Sequence, residues 1–252
     1  MVAVLAAAAL LAACSGATVD PAASPGPVTS SLLPSTAPAK RAFDPFRQDG
    51  GTPAAAREVI ANPTLAEVMK AGPLGERSLG RADAPVTIIK YASLTCPYCR
   101  QFQIETFPKL KREFIDTGKV RLILREFPIG FASGAATIAL RCAPPEKYFA
   151  LYELYLRQQR RWVAQEVRLD AIYAVAAQTG MTRAQFDSCR QNQGMIAGLK
   201  WIKDRGRQLG VIGTPNFFVN GKLVKSVLTM PEIRKMVQAE LARPVASTAR
   251  PR

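Results

Sequence analysis

Between positions 84 and 94 the chain reads APVTIIKYASL, a β-branched and apolar run interrupted by one lysine. That pattern predicts a buried strand. A helix is expected from Pro97, and Pro108 should kink or break it. KVRLILREF at 119–127 predicts a second strand. Strand, helix, strand of this length makes a βαβ unit, whose crossover should be right-handed.

After residue 130 the period changes. Tyr148, Leu151, Tyr152 and Tyr155 follow helical spacing, as do Leu169, Ile172, Tyr173 and Ala176. GMTRAQFDSC supplies a helix start: Thr182 fits the N-cap, Gln185 completes a capping box, and Met181 and Phe186 form a hydrophobic staple. Residues 131–209 therefore read as all-helical. Strand signals return at TPNFFVN (214–220), followed by a turn at Asn220-Gly221, a short strand at KLVKSV, and a last helix over about 230–242. Phe217 and Phe218 should face opposite sides of their strand, both in the core. The fold class is α/β, a sheet domain with a helical domain inserted in its middle.

The ends differ in character. Residues 2–13 are uninterrupted apolar residues ending before Cys14, too few to span a bilayer and suited to a secretory signal. LAAC resembles the bacterial lipoprotein box, in which the cysteine is lipidated; an ordinary signal peptide with an incidental cysteine is the alternative. No Lys or Arg precedes the apolar run, which is consistent with a start upstream of Met1. Either signal implies export into an oxidising compartment. The chain thus divides into a signal peptide (1–13), Cys14 and a flexible Ala/Pro/Ser tether (14–53), and an N-terminal helical segment (54–78). The sheet domain's first part (79–130), the helical insertion (131–209), the sheet domain's second part (210–242) and a disordered tail (243–252) follow. The folded domain should begin near Leu79 and end near Leu241.

The formal charge of +15 raises nucleic acid or anionic lipid as partners. The Lys and Arg residues are scattered and interleaved with acids, which favours a basic soluble surface and no nucleic acid. Zero histidines remove every mechanism that needs imidazole and weaken a zinc or copper reading of the cysteines.

The remaining signal is SLTCPYCRQF, with Cys96 and Cys99 around Pro97 and Tyr98. Cys96 falls where the helix begins, with Pro97 at a favoured first position. The free N–H groups of Tyr98 and Cys99 should point at the Cys96 sulfur, and the helix dipole adds positive potential. Cysteines so placed have pKa values lowered to roughly 3.5–7.5. Cys96 is then the attacking and attacked sulfur and Cys99, one turn in, the resolving one.

CPYC after a buried strand, a helical insertion, and GTPNFFVNG at 213–221 together resemble the DsbA-like branch of the thioredoxin fold, over about residues 76–242. The resemblance implies a thioredoxin-like fold and disulfide exchange with exported proteins, with no metal or organic cofactor. It implies a cis Thr214-Pro215 bond beside the cysteines, where the backbone pairs with an extended substrate. The best-known oxidases carry His where Tyr98 stands, which should make this chain a milder oxidant. In the family a buried acid lies beneath the resolving cysteine; here that position is Lys90. Glu126 is on the neighbouring strand, so either the two pair with the charges exchanged or each reaches solvent. Cys142 and Cys189, both in the insertion, should be bridged in an oxidising compartment. That bridge would stabilise the fold by about 4 kcal/mol on the chain-entropy model.

The leading expectation is a membrane-tethered periplasmic thiol–disulfide oxidoreductase acting on unfolded or reduced exported proteins and reoxidised by a DsbB-like membrane protein. The alternatives are an ScsC-like isomerase or reductase served by a DsbD-like partner, with residues 54–75 favouring oligomers, and a copper-handling lipoprotein using Cys96 and Cys99.

Overall fold

The computed structural model describes residues 59–243. The expected signal, Cys14, the tether and all but the first residue of the tail lie outside them. The sheet has five strands: β1 (Arg77–Leu79), β2 (Val86–Ala92), β3 (Val120–Glu126), β4 (Asn216–Val219) and β5 (Lys222–Val224), in the order β1-β3-β2-β4-β5. Only β2 and β3 are parallel; they run in register from Val86↔Val120 to Ala92↔Glu126. Parallel neighbours require a crossover, and the helical run beginning at α2 (Pro97–Gln101) supplies it. At the β4–β5 turn, Asn220 and Gly221 both have positive φ, 41° and 85°, as an Asn-Gly hairpin demands.

Pro108 does not break the crossover. A π turn at Phe102–Thr106 leads into α3 (Phe107–Leu110), with Pro108 in its first turn, and a second π turn at Lys111–Ile115 completes the run. The wider turn before the proline realigns the carbonyl ladder where an N–H is missing, so the helical path continues.

Between β3 and β4 there are only helices: α4 (Gly130–Cys142), a 3-10 turn at Pro145–Lys147, α5 (Tyr148–Arg157), α6 (Gln159–Trp162), α7 (Leu169–Ala177), α8 (Arg183–Cys189) and α9 (Gln193–Gln208). The capping box of α8 forms as read, with Thr182 accepting from Gln185 N. Its staple residues Met181 and Phe186 are both buried in one cluster. The last helix, α10 (Met230–Leu241), follows β5.

Alternation along the strands distributes the core. Val86, Ile88, Leu122, Phe217 and Val219 meet Phe102, Leu110 and α10 on one face. Ala92 and Leu124, further along that face, share a cluster with Leu94, Cys99 and the apolar sides of α4, α5 and α7. Ile89, Tyr91, Ile123 and Phe218 line the opposite face, with Val68 and Leu209 over them. Phe217 and Phe218 are thus both core, on opposite faces.

The domain begins earlier than Leu79. Ile60 N donates to Gln208 O, and the helix α1 (Leu65–Met69), capped by Thr64, buries Val68. Of residues 54–78, expected to be helical, Arg77 and Ser78 instead belong to β1, which runs on to Leu79 at the sheet edge. Three residues show no period to read, and backbone pairing with β3 decides their state. Arginines hold the connecting strap: Arg141 donates to Gly75 O at 2.6 Å, Arg125 to Met69 O at 3.3 Å, and Arg121 pairs with Glu76.

Close packing reaches backbone level where α9 crosses the sheet. A Cβ on Gly206 would lie 2.6 Å from the Tyr91 ring, which is 2% exposed and wedged edge-on against Phe127 and Phe218. Gly206→Ala gains about 0.5–1 kcal/mol of helix propensity. Overpacking costs about 1–3 kcal/mol, so the variant should be net destabilised, with Tm lower by a few degrees at about 2–4 °C per kcal/mol. A thermal melt with unchanged or raised Tm would show that Tyr91 can give way.

Candidate functional site

β2 ends at Ala92, and the chain turns through Ser93–Leu94–Thr95 into Cys96, the N-cap of α2. Cys96 has extended dihedrals, φ −74° and ψ 121°, and Pro97 occupies the first turn. Cys99 N donates to the Cys96 sulfur at 3.4 Å. On its other side Cys96 Sγ lies 3.1 Å from the carbonyl of Thr214, to which it donates when protonated. The Thr214-Pro215 peptide is cis. Cys96 and Cys99 are both free thiols, the first half-buried and the second fully buried.

The two sulfurs are driven apart chemically. The Cys99 thiol donating to it and the backbone N–H groups of Cys99 and Tyr98 pull Cys96 down to about 5 against the opposing effect of burial. Burial pushes Cys99 well up, and its donation to Cys96 pushes it further. At neutral pH these shifts favour the thiolate at Cys96 and the thiol at Cys99.

The structure separates Lys90 from Glu126. In the β2–β3 register Lys90 stands opposite Leu124, and Glu126 opposite Ala92. Glu126 is instead met by Arg141 from α4, Nη2 to Oε2 at 2.9 Å, and by the Tyr148 hydroxyl, donating at 2.6 Å. Neither Lys90 nor Glu126 reaches solvent: they are 1% and 3% exposed. Lys90 Nζ has no hydrogen-bond partner among the described residues; it sits 4.3 Å from the Phe102 ring centre and 5.4 Å from that of Tyr152. Burial brings it down to about 8, with the charges of Cys99 and Cys96 opposing. A cavity of about 180 Å³, lined in part by Lys90, Gln103, Tyr152 and Glu153, adjoins it and has room for water. Lys90 is thus a buried cation that feels the charge of both Cys99 and Cys96.

Cys142 and Cys189 are bridged, with Cα atoms 6.2 Å apart. They join the end of α4 to the end of α8.

Several residues of the site carried no signal in sequence. Ile212, Ile129 and Tyr98 are exposed apolar residues, and the Ile129 carbonyl accepts from Thr95 Oγ1, next to Cys96 in the chain. Ser133 reaches Ser93 Oγ at 2.8 Å, and Gln159 reaches the carbonyls of Leu94 and Cys96. Each is distant in sequence from the motif it supports.

The thioredoxin family profile matches residues 74–239. The chain belongs to the thioredoxin family. Within it, the chain is DsbA-like. It resembles the crystal structure of Wolbachia pipientis alpha-DsbA1 with a TM-score of 0.63 at 25% identity, covering 70% of this chain and 95% of that one. A putative protein-disulfide oxidoreductase of Rickettsia bellii is 30% identical over 148 residues, 57% of this chain. The match spans 56% of that relative's length. A probable disulfide bond formation protein D of Bacillus anthracis is 29% identical over 176 residues, 67% of this chain and 79% of the relative. The fold is accordingly thioredoxin-like, α/β, with the helical insertion this DsbA-like protein carries between β3 and β4.

Proposed function

We propose that the chain is a protein thiol–disulfide oxidoreductase that introduces disulfides into exported proteins. The observation that supports this most is the Cys96 sulfur. It is half-exposed, held as a thiolate at a helix start, and set against the backbone of the cis-proline loop. A low-pKa thiolate is a good leaving group. In the oxidising direction a client thiolate attacks Cys96 Sγ of the Cys96–Cys99 disulfide. An S–S bond forms between client and Cys96, and Cys99 leaves and takes up a proton. A second client thiolate then attacks the client sulfur of this mixed disulfide, and Cys96 leaves as the thiolate. The client is oxidised by two electrons and the Cys96–Cys99 pair reduced.

Thr214 and Pro215 present backbone to an extended client as in strand addition, and Tyr98 offers an apolar contact. Lys90 steadies the reduced pair electrostatically, and Glu126 acts through the packing of α4 and α5. Cys142–Cys189 is structural. Cys14 carries a lipid that tethers the domain to the periplasmic membrane face, and a DsbB-like membrane protein returns the pair to the disulfide.

The test is the redox state of Cys96 and Cys99 in the native cell, trapped by acid quench and alkylation. A pair found mostly as the disulfide, together with oxidation of a reduced two-cysteine peptide by the purified protein, is the expected result. A pair found mostly as the dithiol would reverse the direction and make the protein an isomerase or reductase served by a DsbD-like partner.

A further inference from the structure

The loop that carries Cys96 is held from outside the motif. Gln159, the first residue of α6, is 7% exposed, and its Nε2 lies 2.6 Å from the Leu94 carbonyl and 3.0 Å from the Cys96 carbonyl. A carboxamide nitrogen has two hydrogens, and both are spent here on carbonyl oxygens. The flipped amide would aim its own oxygen at two acceptors, so the orientation is fixed. Leu94 is 2% exposed and belongs to neither strand nor helix, so its carbonyl depends on this side chain. The Cys96 carbonyl also opens the α2 ladder by accepting from Arg100 N at 3.1 Å. Across the same loop, Ser93 Oγ is held by Ser133 and by Ile129 N.

We infer that Gln159 is a positioning residue for the exchange reaction: by fixing the Leu94 and Cys96 carbonyls it sets the peptide planes around Cys96 and keeps its sulfur over the N-terminus of α2. The inference rests on Cys96 being the reacting sulfur. The mechanism is geometric. The donors that hold the Cys96 sulfur are short-range and directional, and Cys99 N is already at 3.4 Å. Without Gln159 the Leu94 carbonyl is released and the Cys96 carbonyl keeps only Arg100 N, so the peptide planes before Cys96 loosen and that contact lengthens. The helical insertion is thereby coupled to the cysteine by a polar link within an otherwise apolar cluster.

The test uses Gln159→Met, which keeps the unbranched chain and removes both donors. The thiolate absorbance of the reduced protein should titrate at higher pH than in the wild type. Alkylation of Cys96 by iodoacetamide at pH 5 should be slowed about threefold. Trp162→Phe is the control: it alters the same short helix α6, deletes the hydrogen bond from Trp162 Nε1 to Tyr155 O of α5, and leaves the Gln159 contacts alone. It should lower Tm without moving the titration. If Gln159→Met does not fold, Gln159→Asn keeps the amide but falls one methylene short of both carbonyls, and should give the same shift. Titration and alkylation as in the wild type, or an equal shift in Trp162→Phe, would overturn the inference. A wild type that alkylates normally but exchanges no disulfides would instead overturn the proposed function.

Discussion

Cys96→Ser should reduce disulfide exchange to background in both directions, whereas Cys99→Ser should accumulate covalent adducts with clients. The serine hydroxyl at position 96 is not ionised at neutral pH and can neither attack nor leave as sulfur does. With Cys99 replaced, Cys96 still attacks, but no neighbouring sulfur remains to expel the client. Non-reducing gels after incubation with a disulfide-containing client separate the cases, and equal trapping by both variants would refute the division of roles. A pH dependence accompanies it. Cys96 falls from the ordinary 9.0 to about 5 in the folded protein, so it stabilises the reduced form fully above pH 9, and that stabilisation is lost as pH falls toward 5. Lys90 stays protonated below about 8, and the chain has no histidine to titrate in the interval. From pH 8 to 5 the stability of the reduced form relative to the oxidised should therefore fall by about 2 kcal/mol, after discounting a half-exposed sulfur for solvent screening. Paired urea titrations of the two forms measure it, and a flat difference would mean that Cys96 is not a thiolate.

Glu126→Ala should be the most destabilising single substitution beneath the site, at about 3–5 kcal/mol. It leaves the Arg141 guanidinium buried without its counter-charge and the Tyr148 hydroxyl without its acceptor. Arg141 also clamps the Gly75 carbonyl, so the strap before β1 should loosen as well. Glu126→Gln, which keeps an acceptor for Tyr148, should fall between alanine and wild type. Urea unfolding of the three proteins decides it, and a loss below about 1 kcal/mol for the alanine variant would show that Arg141 finds water or another partner.

These residues also mark how far the sequence could be read. The strands β2 and β3 announced themselves because both faces are covered, which leaves a nearly continuous apolar run, and the β4–β5 turn because Asn-Gly tolerates positive φ at both positions. Cys96 and Cys99 were legible because the chemistry is local: sulfur, proline and helix start lie within four residues. The mate of Glu126 was not. Lys90 is opposite in charge and nearby in the sheet, but Arg141 comes from a helix fifteen residues further on, and only the packing of α4 chooses between them. Gln159 and Ser133 escaped for the same reason, since a polar residue on a helix reads as solvent-facing until the fold buries it. Pro108 was read by the local rule, and the π turns on either side of α3 are how the chain accommodates it.

The shared cluster of Cys99, Leu94, Ala92 and the insertion helices has a consequence for engineering. Cutting residues 131–209 out to leave a minimal redox module would strip the cover from the floor of the active site and take Gln159 and Arg141 with it. A graft of CPYC onto a smaller scaffold would carry the motif without its support. A transplantable unit would have to carry the insertion helices together with the sheet.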